Sequence, residues 1–232
     1  MPRPGVRAAG DERTRAYRLA SAVSYALNPL VFPPVAFTLI DAHFGAGPVQ
    51  LLWTFGVSLV FFCLVPLLYM LGMIRAGRVE SIEVRDQRSR LAPFLVGIAS
   101  YAVGALLLWR TVEGPALPLI VAFAALFPLN TAAILLINLR WKISVHMTSL
   151  AGFVSVLLFT ALTVWRDLPA VPEALLTLAT VGPLLALVPV LMWARVRVGA
   201  HTPGQVAAGA AFGLLVPLAE LWTIVYGWLG LA

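Results

Sequence analysis

Long apolar runs alternate with short polar segments along this chain. Residues 1–18 are polar and carry Arg3, Arg7, Arg13, Arg15 and Arg18. Apolar runs then cover about 19–43, 49–73, 93–109, 115–139, 147–165, 173–193 and 204–230. Each is about as long as the 17–25 residues that a helix needs to cross hydrocarbon. The pattern predicts an all-α fold, a polytopic membrane helix bundle of six or seven transmembrane helices. A polar tail, 1–18, precedes a single membrane domain, 19–232. The first run is too long for the apolar core of a cleaved signal peptide and is read as an uncleaved helix. Pro29, Pro33 and Pro34 kink it. If it is re-entrant, six spans remain.

Composition agrees. Hydrophobic residues make up 61% of the chain and charged residues 11%, where a soluble domain carries about 25% charged. Mean hydropathy is +0.93. The net charge of +6 does not point to nucleic acid, because the arginines sit in short segments between apolar runs. The single cysteine, Cys63, lies inside an apolar run and offers neither a disulfide nor a metal motif.

Charge also gives sidedness. Counting loops from the N-terminus, 14 of the 16 Lys and Arg fall on one face, and Arg110 and Arg166 on the other. The positive-inside rule makes the crowded face cytoplasmic. Removing every candidate ligand-binding residue still leaves the five tail arginines there.

Parity brings three polar segments to that face. Two helices separate segment 78–90 from segment 140–146, and two more separate the latter from 194–205. An even number of crossings returns the chain to the same side, so the three segments can build one site.

Each segment carries candidate chemistry. In 194–205 an arginine, Arg195, is followed by His201 and then Gln205. An arginine fork suits a phosphate, and a histidine can attack phosphorus or carry a proton. Gln205 lies one helical turn beyond His201 and can fix its tautomer. The plain alternative is an interfacial loop with snorkelling arginines and a structural histidine. In 141–146, Lys142, Ser144 and the amides of the following helix are phosphate donors, and His146 is a candidate acid. Here the alternative is an aromatic–lysine anchor with a capping serine. In 78–90, Arg78, Arg85 and Arg88 share a face if the segment is helical. Glu80, Glu83 and Asp86 interleave with them, so a solvated linker is the alternative. His43 stands alone in an opposite turn.

These segments resemble the signatures of the type-2 phosphatidic acid phosphatase (PAP2) family. Arg195-x5-His201-x3-Gln205 is similar to its third signature, Ser-Arg-x5-His-x3-Asp. Ser144-Val145-His146 resembles the end of its second, Pro-Ser-Gly-His. Arg78-x6-Arg85 is similar to its first, Lys-x6-Arg-Pro. The resemblance covers about 78–205. It implies a PAP2-like core and a metal-independent phosphatase without cofactor, acting on an amphiphilic lipid phosphate or polyprenyl diphosphate among membrane lipids. It implies His201 as nucleophile and His146 as acid. Arg195, Lys142, Ser144, Arg85 and Arg88 would hold phosphoryl oxygens, and cations placed so can catalyse the transfer.

The departures are specific. Ala194 replaces the signature serine, Gln205 the aspartate that orients the nucleophile, and Ile143 and Val145 the proline and glycine. Asp86 stands where the first signature has proline. Glu220, a further carboxylate, lies deeper in the last run. The Gln205 exchange supports a second reading, a non-catalytic lipid-binding or scaffold protein of the same fold. A prenyltransferase is disfavoured, since Asp11, Asp41, Asp86 and Asp167 form no pair to hold magnesium and a diphosphate.

Overall fold

The computed structural model describes residues 14–27, 32–79, 88–163 and 173–228. The arginines of 1–13 and the acidic positions Glu80, Glu83 and Asp86 lie outside them, as do Arg85 and Arg166. The described residues are helical, with no strand among them. They form α1 (Arg15–Ala26), α2 (Phe32–His43), α3 (Pro48–Arg75), α4 (Leu91–Thr111), α5 (Leu117–Asn138), α6 (Val145–Thr163), α7 (Glu173–Arg197) and α8 (Pro203–Trp222). A π-helical turn, Thr223–Trp228, extends α8. Five of these, α3 to α6 and α8, are long and apolar enough to cross a membrane. Leu52, Leu68, Leu136 and Leu215 are at least 60% exposed on them, as expected of surfaces that meet lipid tails.

The run 19–43 differs from its expected single span. It gives two helices of 12 residues each. Each is about 18 Å long at 1.5 Å per residue, well short of a hydrocarbon core of about 30 Å. Pro29 disfavours helix at Asn28 and cannot donate an amide. Pro33 and Pro34 fall in the first turn of α2, where missing amides cost nothing.

The chain divides into two compact units. One comprises Leu30–Lys142 and Val216–Ala232. Here Pro66 would break α3, so the helix widens into a π turn at Val60–Leu64 and the Val65 amide reaches back to the Val60 carbonyl. In that register Pro66 has no proton for the Phe61 carbonyl. Ser100 of α4 supplies it, with Oγ 2.6 Å from Phe61 O. Phe37, Phe62, Tyr101 and Phe127 cluster at 5.0–5.8 Å between centroids, Phe62 and Tyr101 stacked and the other pairs tilted or edge-on. At the end of α2 the buried Asp41 accepts from Gln50 Nε2 at 2.7 Å and Thr54 Oγ1 at 2.6 Å, which ties α2 to α3.

The other unit comprises Met1–Pro29 and Ile143–Leu215. It contains α1, α6, α7 and the first part of α8. Gly209 and Gly213, four apart, lay α8 against α6. A Cβ at Gly209 would stand 2.8 Å from the Ser144 carbonyl oxygen, and one at Gly213 would overlap the Thr148 carbonyl. Small residues at this spacing let helix backbones approach within the membrane. Ser144 pairs with Gly209 and Thr148 with Gly213, so α6 and α8 run parallel. Pro217 leaves the Gly213 carbonyl without its helical donor. Ser155 of α6 stands 2.9 Å from that oxygen and 2.6 Å from Leu214 O.

Gly213→Ala is expected to cost about 1–3 kcal/mol, the usual range for overpacking. Gly72 in α3 meets nothing within 4 Å, so Gly72→Ala should leave stability unchanged or raise it by up to about 1 kcal/mol. Thermal unfolding of both variants in detergent checks this.

Candidate functional site

The α7–α8 junction is built from two backbone devices only a few residues apart. Helix α7 closes with a Schellman motif. Gly199 takes φ +64°, its amide donates to Val196 O, and the Ala200 amide donates to Arg195 O. Helix α8 opens with a capping box. The Gln205 amide donates to Thr202 Oγ1 at 3.4 Å, and the Thr202 amide donates to Gln205 Oε1 at 3.1 Å. Pro203 follows as the first helical residue, where its fixed φ is favourable.

His201 sits between these devices, with 8% of its surface exposed. Its amide lies 3.4 Å from the Arg195 carbonyl. Its Nδ1 lies 3.3 Å from Gln205 Oε1. The Thr202 amide marks that Gln205 atom as the oxygen, because only an acceptor can face an N–H. Nδ1 therefore carries the proton, and the lone pair of the neutral ring is on Nε2.

Arg195 is 3% exposed and lies in the last turn of α7. Its Nη1 donates to Ser24 Oγ of α1 at 2.6 Å. Arg197 Nη2 stands 3.4 Å from Thr14 Oγ1, the cap of α1. The short α1 is thus held against the end of α7 by two arginines.

Ser144 and His146 stand at the start of α6. The Ser144 carbonyl accepts from the Thr148 amide and from Thr148 Oγ1, each at 3.0 Å. Its hydroxyl does not cap the helix, unlike the serine of the anchor reading. Oγ is fully buried and has no hydrogen-bond partner. His146 is half-buried. Because Gly209 rests on Ser144, the first turns of the parallel helices α6 and α8 lie on the same side of this unit. Positive helix ends and a buried, unfilled hydroxyl suit an anion.

The other candidates belong to the second unit. Lys142 is half-buried in the link before α6. Arg88 opens a 3₁₀ turn, Arg88–Arg90, in which Arg90 Nη1 lies 3.3 Å from Asn138 Oδ1. Arg78 does not join a helical stripe. Helix α3 ends at Arg75, Gly77 turns with φ +67°, and Arg78 follows exposed. Arg85 lies outside the described residues. Among the described residues no three His, Cys, Asp or Glu gather where they could hold a metal ion.

Two participants escaped the sequence reading. Thr202-Pro203-Gly204-Gln205 is a legible capping box, overshadowed by the histidine beside it. Ser24 carried no signal, since it lies 171 positions from Arg195.

No protein-family model, curated protein or solved structure matches this chain.

Ser24→Ala strips a buried guanidinium of an acceptor. It should cost about 1–3 kcal/mol in unfolding, and Ser24→Thr, which keeps the hydroxyl, should recover most of it.

Proposed function

We propose that the chain is an integral membrane phosphatase acting on a lipid phosphate or polyprenyl diphosphate through a phosphohistidine. The observation that carries the reading is the state of His201. An acceptor fixed by a backbone amide holds the proton on Nδ1, which leaves Nε2 with the lone pair that a nucleophile needs. The order of the three PAP2-like segments supports it.

In this reading Nε2 attacks phosphorus, a P–N bond forms, and the bond to the leaving oxygen breaks. His146 gives that oxygen its proton. His146 then takes a proton from water, which attacks the phosphohistidine and releases phosphate and the His201 ring. Arg195, Ser144 and the helix amides hold phosphoryl oxygens. The resemblance gives Lys142, Arg85 and Arg88 the same work. Charge around the equatorial oxygens is what such a transfer needs. The apolar helices favour an amphiphilic substrate. The excess of Lys and Arg on one set of loops supports a site on the cytoplasmic face, with α7 taken as one of the crossings that parity needs.

One observation favours the second reading, a non-catalytic lipid-binding or scaffold protein. Gln205, the third residue of α8, has a structural role closing the capping box with Thr202.

Phosphate release by the purified protein decides between them. With a panel of lipid phosphates and prenyl diphosphates in excess chelator, release is expected from at least one substrate and should fall to background in His201→Ala. No release from any substrate by folded protein would leave the scaffold reading. Gln205→Glu keeps a capping-box residue and places a carboxylate on Nδ1. Charge-assisted hydrogen bonds are about twice as strong as neutral ones, so turnover should rise on the order of tenfold for a gain of about 1.4 kcal/mol.

A further inference from the structure

Helix α8 carries a second polar device, unrelated to His201. Glu220 lies 17 residues beyond Pro203, about 26 Å along the helix axis. It stands inside a segment apolar enough to span a membrane. An ionisable side chain there is costly and needs a partner.

Its partner is Asn130 of α5. Asn130 Nδ2 donates to Glu220 Oε2 at 2.6 Å and stands 2.9 Å from its own helix's Leu126 carbonyl. These two acceptors fix which end of the amide is nitrogen. The amide oxygen is then placed as well. Asn130 is 9% exposed, and Oδ1 is buried without a hydrogen-bond partner. A buried amide oxygen without a donor leaves its desolvation uncompensated.

A carboxylate cannot relieve that cost, because it has only acceptors. A neutral carboxylic acid can. An acid and an amide are complementary: the acid carbonyl accepts from the amide N–H, and the acid O–H donates to the amide oxygen. Half of that reciprocal pair is already in place in the Nδ2–Oε2 bond.

Among the described residues, the elements packed near this pair offer no competing charge. Helix α5 has no titratable side chain along its length. On α2, which packs on α5, the Asp41 oxygens are taken by Gln50 and Thr54, and His43 closes the helix against the Phe44 ring. On α4, Tyr101 is stacked among phenylalanines and Arg110 lies over the Trp109 ring. In the π turn beyond Glu220, Tyr226 stacks on Trp222.

We propose that Glu220 and Asn130 form a proton-binding site within the membrane, in which Glu220 holds a proton and closes a reciprocal acid–amide pair with Asn130. Deprotonation removes the O–H donor and sets a second anionic oxygen against Oδ1, so the pair holds only while Glu220 keeps its proton.

Infrared spectroscopy tests this on the intact protein at pH 7 in a detergent without carbonyl groups. A protonated-carboxyl C=O stretch is expected in the wild type and should be missing in Glu220→Gln. It should move to higher frequency in Asn130→Ala, where the acid loses its acceptor. A wild-type spectrum without the band, or a band unchanged in both variants, would overturn the proposal and leave a buried water as the donor to Oδ1. Should Glu220→Gln not fold, the wild type alone still answers with dicyclohexylcarbodiimide. The carboxyl proton passes to a carbodiimide nitrogen and the carboxylate oxygen adds to its carbon. The adduct rearranges to an N-acylurea with no atom lost. A mass gain of one reagent on the peptide holding Glu220, falling as pH rises, supports the proposal. A gain that is absent while the band is absent overturns it.

Discussion

No water reaches the inside of an apolar span, so every carbonyl that a proline strips of its donor has to be met from within the protein. That constraint organises much of this chain. Pro66 forces α3 into a π turn and leaves the Phe61 carbonyl to Ser100 of α4. Pro217 does the same to Gly213, and Ser155 of α6 answers. In each case one serine both repairs a helix and fixes which neighbour lies beside it. Packing alone would specify less, because the tails of lipids are as apolar as leucine. The glycines at 209 and 213 belong to the same solution. They bring α8 close enough to α6 for a side chain as short as serine to span the gap.

Much of this was legible in the sequence, for reasons that differ by element. Six of the seven apolar runs correspond to long helices, because in a span hydropathy and length decide the outcome together. Run 19–43 gives two helices of 12 residues, and a hydropathy sum over the window does not register the prolines at 29, 33 and 34 that the sequence places there. The end of α7 was readable in principle: Gly199 after a basic last turn is a stop signal. The link from Arg195 to Ser24 was not, since nothing in a local window relates residues 171 apart. The conditional stripe through Arg78, Arg85 and Arg88 runs through residues 80–87, which lie outside the described residues; Arg78 itself follows the Gly77 turn that ends α3.

The polar groups that lack partners are informative for the same reason that the satisfied ones are. Buried polar atoms are nearly always paired, and both packed serines at the proline sites are. Ser144 Oγ and Asn130 Oδ1 are the exceptions of interest. They stand in different surroundings. Ser144 is beside the first turn of a helix, among groups that attract anions. Asn130 already holds a carboxyl on its nitrogen side. A donor-rich place with an idle hydroxyl invites a ligand, whereas an idle oxygen beside an acid is met by the acid's own proton.

The meaning of Gln205 turns on counting the bonds to one atom. Its Oε1 faces the Thr202 amide and His201 Nδ1 together. An aspartate at this position has a shorter side chain, and in reaching for the ring it gives up reach toward the cap. The glutamine reaches both, so one oxygen starts the helix and sets the tautomer of the histidine before it. What it surrenders is charge. A neutral amide stabilises an imidazolium less than a carboxylate does. In the proposed phosphatase, the exchange would change how strongly the transition state is held while keeping the ring's orientation, so it would alter rate before it removed the site.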